Sequence, residues 1–234
     1  MEEVTRQHTQ LSVGTRSRFA VIEATAIVVS VACQLILLYR LVTHHDSSAW
    51  IVLFCFALGL LTADAITGLI HWGADTWGSE DVPFVGKMLI RPFREHHVDP
   101  TSITRHDFLE TNGNNFLVSL VVAAPAAFLS SSASVAAFCL SLSVAVSFTN
   151  QIHKWAHMEK PPFIACTLQR VRLVLTREGH AIHHTFPHME SYNITNGWLN
   201  EAFNRIGFYR RLEWVITKTS RAVPRREDLK NLEA

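Results

Sequence analysis

His180, His183 and His184 fall at i, i+3 and i+4. On a helix these positions occupy an arc of about 100°, so the imidazoles can converge on one point. A second pair at helical spacing, His153 and His157, stands upstream, preceded by the adjacent His96-His97 and by His71. A lone histidine is ordinarily a satisfied core residue, but eight imidazoles in four groups have the make-up of a metal cage. Asp75, four residues beyond His71, adds a carboxylate to the same helical face. Imidazole suits zinc, copper, iron and nickel. Eight are too many for one four-coordinate zinc and suit two metals with positions left open for a small molecule.

Other metal chemistries fit this pattern less well. A membrane zinc protease wants His-Glu-x-x-His, whereas His153-Lys154-Trp155-Ala156-His157 carries no general base. Bis-histidine haem wants single histidines on facing helices within the bilayer. A metal transporter, the rival from another class, threads its ligands along a path through the membrane. Here the ligands gather on one side, and only Asp64 is intramembrane. Two irons activating dioxygen fit best. The candidate ligands are therefore His71, Asp75, His96, His97, His153, His157, His180, His183 and His184. Asp64 takes a supporting part, and His106 and His188 stay open between ligation and an outer role. His96 and His97, adjacent on a helix, point about 100° apart and suit a bridge between two metals better than one chelate.

These residues need a scaffold. The chain of 234 residues carries a formal net charge of +1, so no bulk electrostatics points to nucleic acid. Charge is segregated into polar blocks between long apolar runs, which is the signature of membrane spans. Spans are predicted at 19–38, 49–71, 116–129 and 133–155. The run from Phe116 to Phe148 has no charged residue and is too long for one crossing, so Ser130-Ser131-Ser132 divides it into a hairpin. Asn112-Gly113 reads as a turn before it. The third span is short, with Pro125 as a kink. Pro161-Pro162 ends the fourth. Residues 163–177 suit a helix in the interface plane, and a further amphipathic segment runs from Leu199 to about Ser220. The fold class is all-α integral membrane: a four-span helical bundle with a cytosolic histidine-rich di-iron cap and interfacial amphipathic helices. Residues 1–18 form a mobile arm, 19–220 the membrane domain and 221–234 a polar tail. Cys33, Cys55, Cys139 and Cys166 are scattered and indicate neither disulfides nor a Cys-x-x-Cys site. No cleavable signal peptide is evident.

Four spans put the termini, the 72–115 loop and every histidine group on one side. Lys87, Arg91, Arg94, Arg105 and the Arg-rich C-terminal region share that side, so the positive-inside rule makes it cytosolic.

Several stretches together carry a resemblance: His71-Trp-Gly-Ala-Asp-Thr-Trp-Gly78, Arg91-Pro-Phe-Arg-Glu-His-His-Val-Asp-Pro100, and Thr104-Arg-His-Asp-Phe-Leu-Glu-Thr-Asn-Gly113. Thr149-Asn-Gln-Ile-His-Lys-Trp-Ala-His157, His180-Ala-Ile-His-His184 and Ile194-Thr-Asn-Gly-Trp-Leu-Asn200 continue it. Over residues 50–230 the chain resembles the plasmanylethanolamine desaturase family, the Kua or lipid desaturase domain. It differs in placing Asp75 where the usual first desaturase box has a second histidine. Its link between spans three and four is also shorter than in animal members. The resemblance implies desaturation at C1–C2 of the sn-1 alkyl chain of an ether phospholipid, giving the vinyl ether of plasmalogens with dioxygen and two electrons. A plastid relative acts on phosphatidylglycerol, so a desaturase or hydroxylase of another membrane lipid is the alternative. No Gly-x-Gly-x-x-Gly fingerprint, haem motif or Cys-rich cluster supplies electrons internally. An external carrier is implied, and the resemblance points to a cytochrome b5-type donor with an NADH-dependent reductase. The basic rim of Lys87, Arg91, Arg94 and Arg105 is its candidate dock, or equally a contact for phospholipid headgroups. The membrane expected is the endoplasmic reticulum in a eukaryote, or the inner membrane in a bacterium.

Overall fold

The computed structural model describes residues 2–83, 85–86, 90–130 and 132–224, with side chains from Ala20 onward. Their regular structure is helical: α1 (Glu2–Thr43), α2 (Ala49–Thr76), α3 (Arg91–Val98), a 3-10 turn (Ser102–Arg105), α4 (Phe108–Leu129), α5 (Ala133–His157), α6 (Phe163–Arg170), α7 (Arg177–His183), α8 (Asn200–Arg205) and α9 (Phe208–Ser220). Four helices are long and apolar enough to cross a membrane: Ala20–Thr43, Ala49–Thr76, Phe108–Leu129 and Ala133–His157. The arm expected over 1–18 continues α1 as helical backbone from Glu2, since it holds no proline and only Gly14 as a weak point. Ser131 and Lys87 lie outside the described residues, as does the tail from 225 on.

The chain forms two compact units, Met1–Gly59 with Asp107–Phe148, and Leu60–His106 with Thr149–Ala234. In the first, α1 packs on α4 through small side chains, with Cys33, Leu37, Ala123, Ala127 and Ala136 as the core. Small residues let helix backbones approach closely, which is what association in lipid relies on. Ser30 and Gln34, polar residues inside the first apolar run, are satisfied within this unit, because an unpaired polar group in hydrocarbon costs several kcal/mol. Ser30 and Ser119 share a hydrogen bond of 2.7 Å, and Gln34 donates to Ser30 at 3.2 Å and to Ser147 at 3.0 Å.

The third span departs most from expectation. Asn112 and Gly113 are not a turn; both are buried inside α4. The helix starts earlier, where the Asp107 side chain accepts the Glu110 amide at 2.9 Å as an N-cap. Asn112 turns its amide onto the Phe108 carbonyl at 3.0 Å. Gly113 serves close packing: a Cβ there would fall 2.6 Å from that of Glu23. The 22-residue helix therefore reaches about 33 Å, a full hydrocarbon core. The predicted interfacial helix is shorter than 163–177, because Arg172 turns the chain with φ 56° after α6. The amphipathic C-terminal segment is divided by Gly207, at φ 61°, into α8 and α9.

The second unit is organised around Asp64, which is fully buried. Its carboxylate accepts the amides of Asn196 at 3.0 Å, Gly197 at 2.9 Å and Leu199 at 3.2 Å. Its carbonyl accepts the Asn193 side chain at 2.8 Å. The acid inside an apolar helix is thus a clamp on the 193–199 loop, answered by backbone amides.

Candidate metal centre

Nine side chains gather in the second unit from the ends of α2 and α5 and from α3 and α7. They form two groups: His96, His153, His157, His180 and His184, and His71, Asp75, His97 and His183. Within each group the donor atoms lie within 4.8 Å of one another. In the first, Nε2 of His153 lies 2.8 Å from that of His180 and 3.2 Å from that of His157. Nε2 of His184 lies 3.0 Å from that of His180 and 3.1 Å from that of His96. In the second, Asp75 Oδ2 is the hub, 3.3 Å from His71 Nε2, 3.2 Å from His97 Nε2 and 3.5 Å from His183 Nε2.

Helical geometry explains the division. Residues four apart share a face, so His153 with His157, His180 with His184, and His71 with Asp75 each stay together. Adjacent residues diverge by about 100°, so His96-His97 and His183-His184 each send one ring to either group. The expectation that His180, His183 and His184 converge on one point is therefore corrected: His183 belongs with Asp75. The groups adjoin, with the His97 and His184 ring centres 5.3 Å apart and those of His180 and His183 5.7 Å apart. The short α7 is pinned by Thr176, whose hydroxyl accepts the Gly179 amide at 3.0 Å.

Two loop carbonyls aim the rings. Nδ1 of His71 lies 3.1 Å from the Tyr192 carbonyl, and Nδ1 of His183 lies 2.9 Å from that of Glu190. A carbonyl can only accept, so each Nδ1 carries the proton and each Nε2 turns a lone pair inward. Burial, reinforced by neighbouring imidazoles, pushes His96 and His180 well below the ordinary histidine value and His184 down to about 2. Neutral imidazole is the form that ligates.

The donor set fits a metal. Nε2 of His71, Nε2 of His183 and Oδ1 of Asp75 are buried without a hydrogen-bond partner, an expensive condition for polar atoms left alone. Imidazole nitrogens bind zinc at about 2.0–2.1 Å, so ligands at right angles are about 3 Å apart. The contacts of 2.8–3.2 Å in the five-histidine group match that edge. His106 and His188 lie outside both groups. His106 offers its carbonyl to Lys154, and His188 packs its ring 4.8 Å from that of His97 while bonding the His183 carbonyl at 3.0 Å. Sequence reasoning missed the Tyr192 and Glu190 carbonyls. Only their place in a motif-rich loop could have signalled them, since every residue has a carbonyl.

Four apolar helices and two adjoining histidine-rich groups, each able to hold a metal ion, define a multi-pass membrane protein with a candidate metal centre. The lipid desaturase domain family matches residues 60–227. The chain is 44% identical over 233 residues to plasmanylethanolamine desaturase of Myxococcus xanthus, covering 97% of this chain and 83% of that one. It is 43% identical over 217 residues to plasmanylethanolamine desaturase 1 of Mus musculus, covering 85% and 80%. It is 31% identical over 161 residues to fatty acid desaturase 4, chloroplastic, of Arabidopsis thaliana, covering 68% and 49%. No solved structure gives a significant match. The chain belongs to the lipid desaturase family.

Proposed function

We propose that this chain is a di-iron, dioxygen-dependent desaturase that forms the vinyl ether bond of plasmalogens from plasmanylethanolamine. The observation that carries the reading is the pair of adjoining ligand groups, in a chain whose relatives include two named plasmanylethanolamine desaturases. The ligands are His96, His153, His157, His180 and His184 for one iron, and His71, Asp75, His97 and His183 for the other. Residues 19–220 form the catalytic domain, between flanking segments 1–18 and 221–234. The site faces the cytosol, by the excess of basic residues on its side. The membrane is the endoplasmic reticulum in a eukaryotic host, or the inner membrane in a bacterial one. Electrons come from a cytochrome b5-type carrier reduced by an NADH-dependent reductase.

The reaction balances as –CH2–CH2– plus O2, two protons and two electrons giving –CH=CH– and two water molecules. Bound iron would supply dioxygen activation and the power to remove hydrogen from an alkyl C–H bond. The chain's own residues do the positioning. Tyr192 and Glu190 hold His71 and His183 in one tautomer through their carbonyls. Burial of His71, His96, His153, His180 and His183 keeps bulk water from the ligand atoms. Desaturation rather than hydroxylation demands that two neighbouring C–H bonds be presented together. In an alkyl ether, the oxygen stabilises radical or cationic character at C1, which makes that carbon the first site of attack. Lipid mass spectrometry of cells carrying the intact chain or His184→Ala tests the reading. Vinyl ether lipids appear with the first and vanish with the second; equal amounts with both would refute it.

A further inference from the structure

We infer that the exposed face of α9 receives an acidic one-electron carrier, and that the aromatic cluster beneath it bridges that face to the ligand groups. This rests on the oxidative reading above. Two independent observations carry it.

The first is where cationic charge stands uncompensated. The arginines of the rim expected to dock a carrier are held by acids: Arg91 by Glu95 at 2.6 Å, Arg94 by Glu80 at 3.9 Å and Arg105 by Asp99 at 2.6 Å. On α9 and its C-terminal cap, Arg211, Lys218 and Arg221 are exposed and have no carboxylate partner among the described residues. The acid of that helix, Glu213, is taken by Arg210 at 3.2 Å. An acidic partner therefore meets net attraction at α9 and internally neutralised pairs at the three rim arginines. Charge of this kind guides the weak, small-area encounters that redox partners make.

The second is what lies under that face. Tyr209 of α9 is buried with Trp72 and Tyr192, and Trp77, Phe208 and Leu212 pack against them. The ring centres of His183 and Tyr192 are 5.0 Å apart, those of Tyr192 and Tyr209 4.9 Å, of Tyr209 and Trp72 5.6 Å, and of Trp72 and Trp77 4.7 Å. Trp77 is half-buried and reaches the surface. Tunnelling decays faster across gaps than through packed atoms, so an unbroken row of rings is a favourable route. Each encounter moves one electron from the carrier's reduced centre to the metal pair. No bond in the chain forms or breaks, and two encounters supply the two electrons of the balanced reaction. A lipid surface would also suit the exposed Trp214 and the basic side chains, but it has no use for a conduit to the ligands.

The test mixes the soluble domain of cytochrome b5, reduced beforehand with dithionite and freed of the excess, with the whole detergent-solubilised protein and follows haem oxidation by stopped flow. In Arg211→Glu/Lys218→Glu/Arg221→Glu the second-order rate falls about tenfold at low salt, and the steep salt dependence of the wild type flattens. In Trp77→Leu the concentration for half-saturation holds while the limiting rate drops several-fold. Both variants retain wild-type metal content and the wild-type rate with dithionite as reductant. An unchanged haem oxidation rate in the triple variant overturns the inference. So does loss of rate confined to Arg91→Glu/Arg105→Glu, or loss of binding to phosphatidylserine vesicles alone. Haem oxidation is read without any lipid product, whereas vinyl ether formation under dithionite scores the desaturase reading, so the two can fail separately.

Discussion

At the scale of the residue, one step along a helix decides which ligand group a histidine joins. His183 and His184 differ by about 100° in direction and enter different groups. The carboxylate of Asp75 makes its group chemically distinct, because it brings a negative charge where the other group has imidazole alone. Asp75→Asn keeps the shape and removes that charge. We expect it to lower bound metal from about two ions per chain toward one, as measured by elemental analysis of purified protein. A variant retaining both ions would place Asp75 outside the ligand shell. The pH dependence follows from the depressed histidines. His96, His180 and His184 bind protons far less readily folded than at their ordinary value of 6.5. Above pH 6.5 neither state is protonated and these residues contribute no slope. As pH falls from there toward 2, the unfolded chain takes up protons that the folded one refuses, so stability drops. The metal-free protein should therefore melt at progressively lower temperature below about pH 6.5, whereas a flat profile would show these rings to be solvated.

At the scale of the element, each span end serves the site through its own anchors. The Asp64 carboxylate ties the 196–199 turn to α2 by the amides of Asn196, Gly197 and Leu199, and the Tyr192 carbonyl that orients His71 stands just upstream. Asp64→Ala would strand one buried and two partly buried amides, destabilising the fold by on the order of 3 kcal/mol. Thermal melting should show the loss together with weakened metal retention. Much of this was legible in the sequence. The spacing of His153 with His157 and of His71 with Asp75 gave their shared faces directly, because i and i+4 coincide on any helix. The parting of His96 and His97 into different groups followed from the divergence of adjacent residues on a helix. The start of α4 was not legible, since Asn-Gly ordinarily marks a turn. Here the Asp107 cap and the close approach of Glu23 to Gly113 override that local preference. The aiming carbonyls were hidden because backbone acceptors carry no residue signature.

At the scale of the whole molecule, four crossings by the apolar helices would put the polar segment containing α3 and the segments beyond α5 on one side of the membrane. Cysteines introduced at Glu95 and at Ser48 should react with impermeant reagents from opposite faces, and labelling from the same face would require a different number of crossings. Turnover of the purified, iron-loaded protein under ¹⁸O₂, with a defined alkyl ether phosphatidylethanolamine and a chemical reductant, separates desaturation from hydroxylation. Desaturation gives a product two hydrogens lighter, cleaved by acid as a vinyl ether is, with no ¹⁸O in the lipid. A stable hydroxylated lipid carrying ¹⁸O as the main product would contradict it.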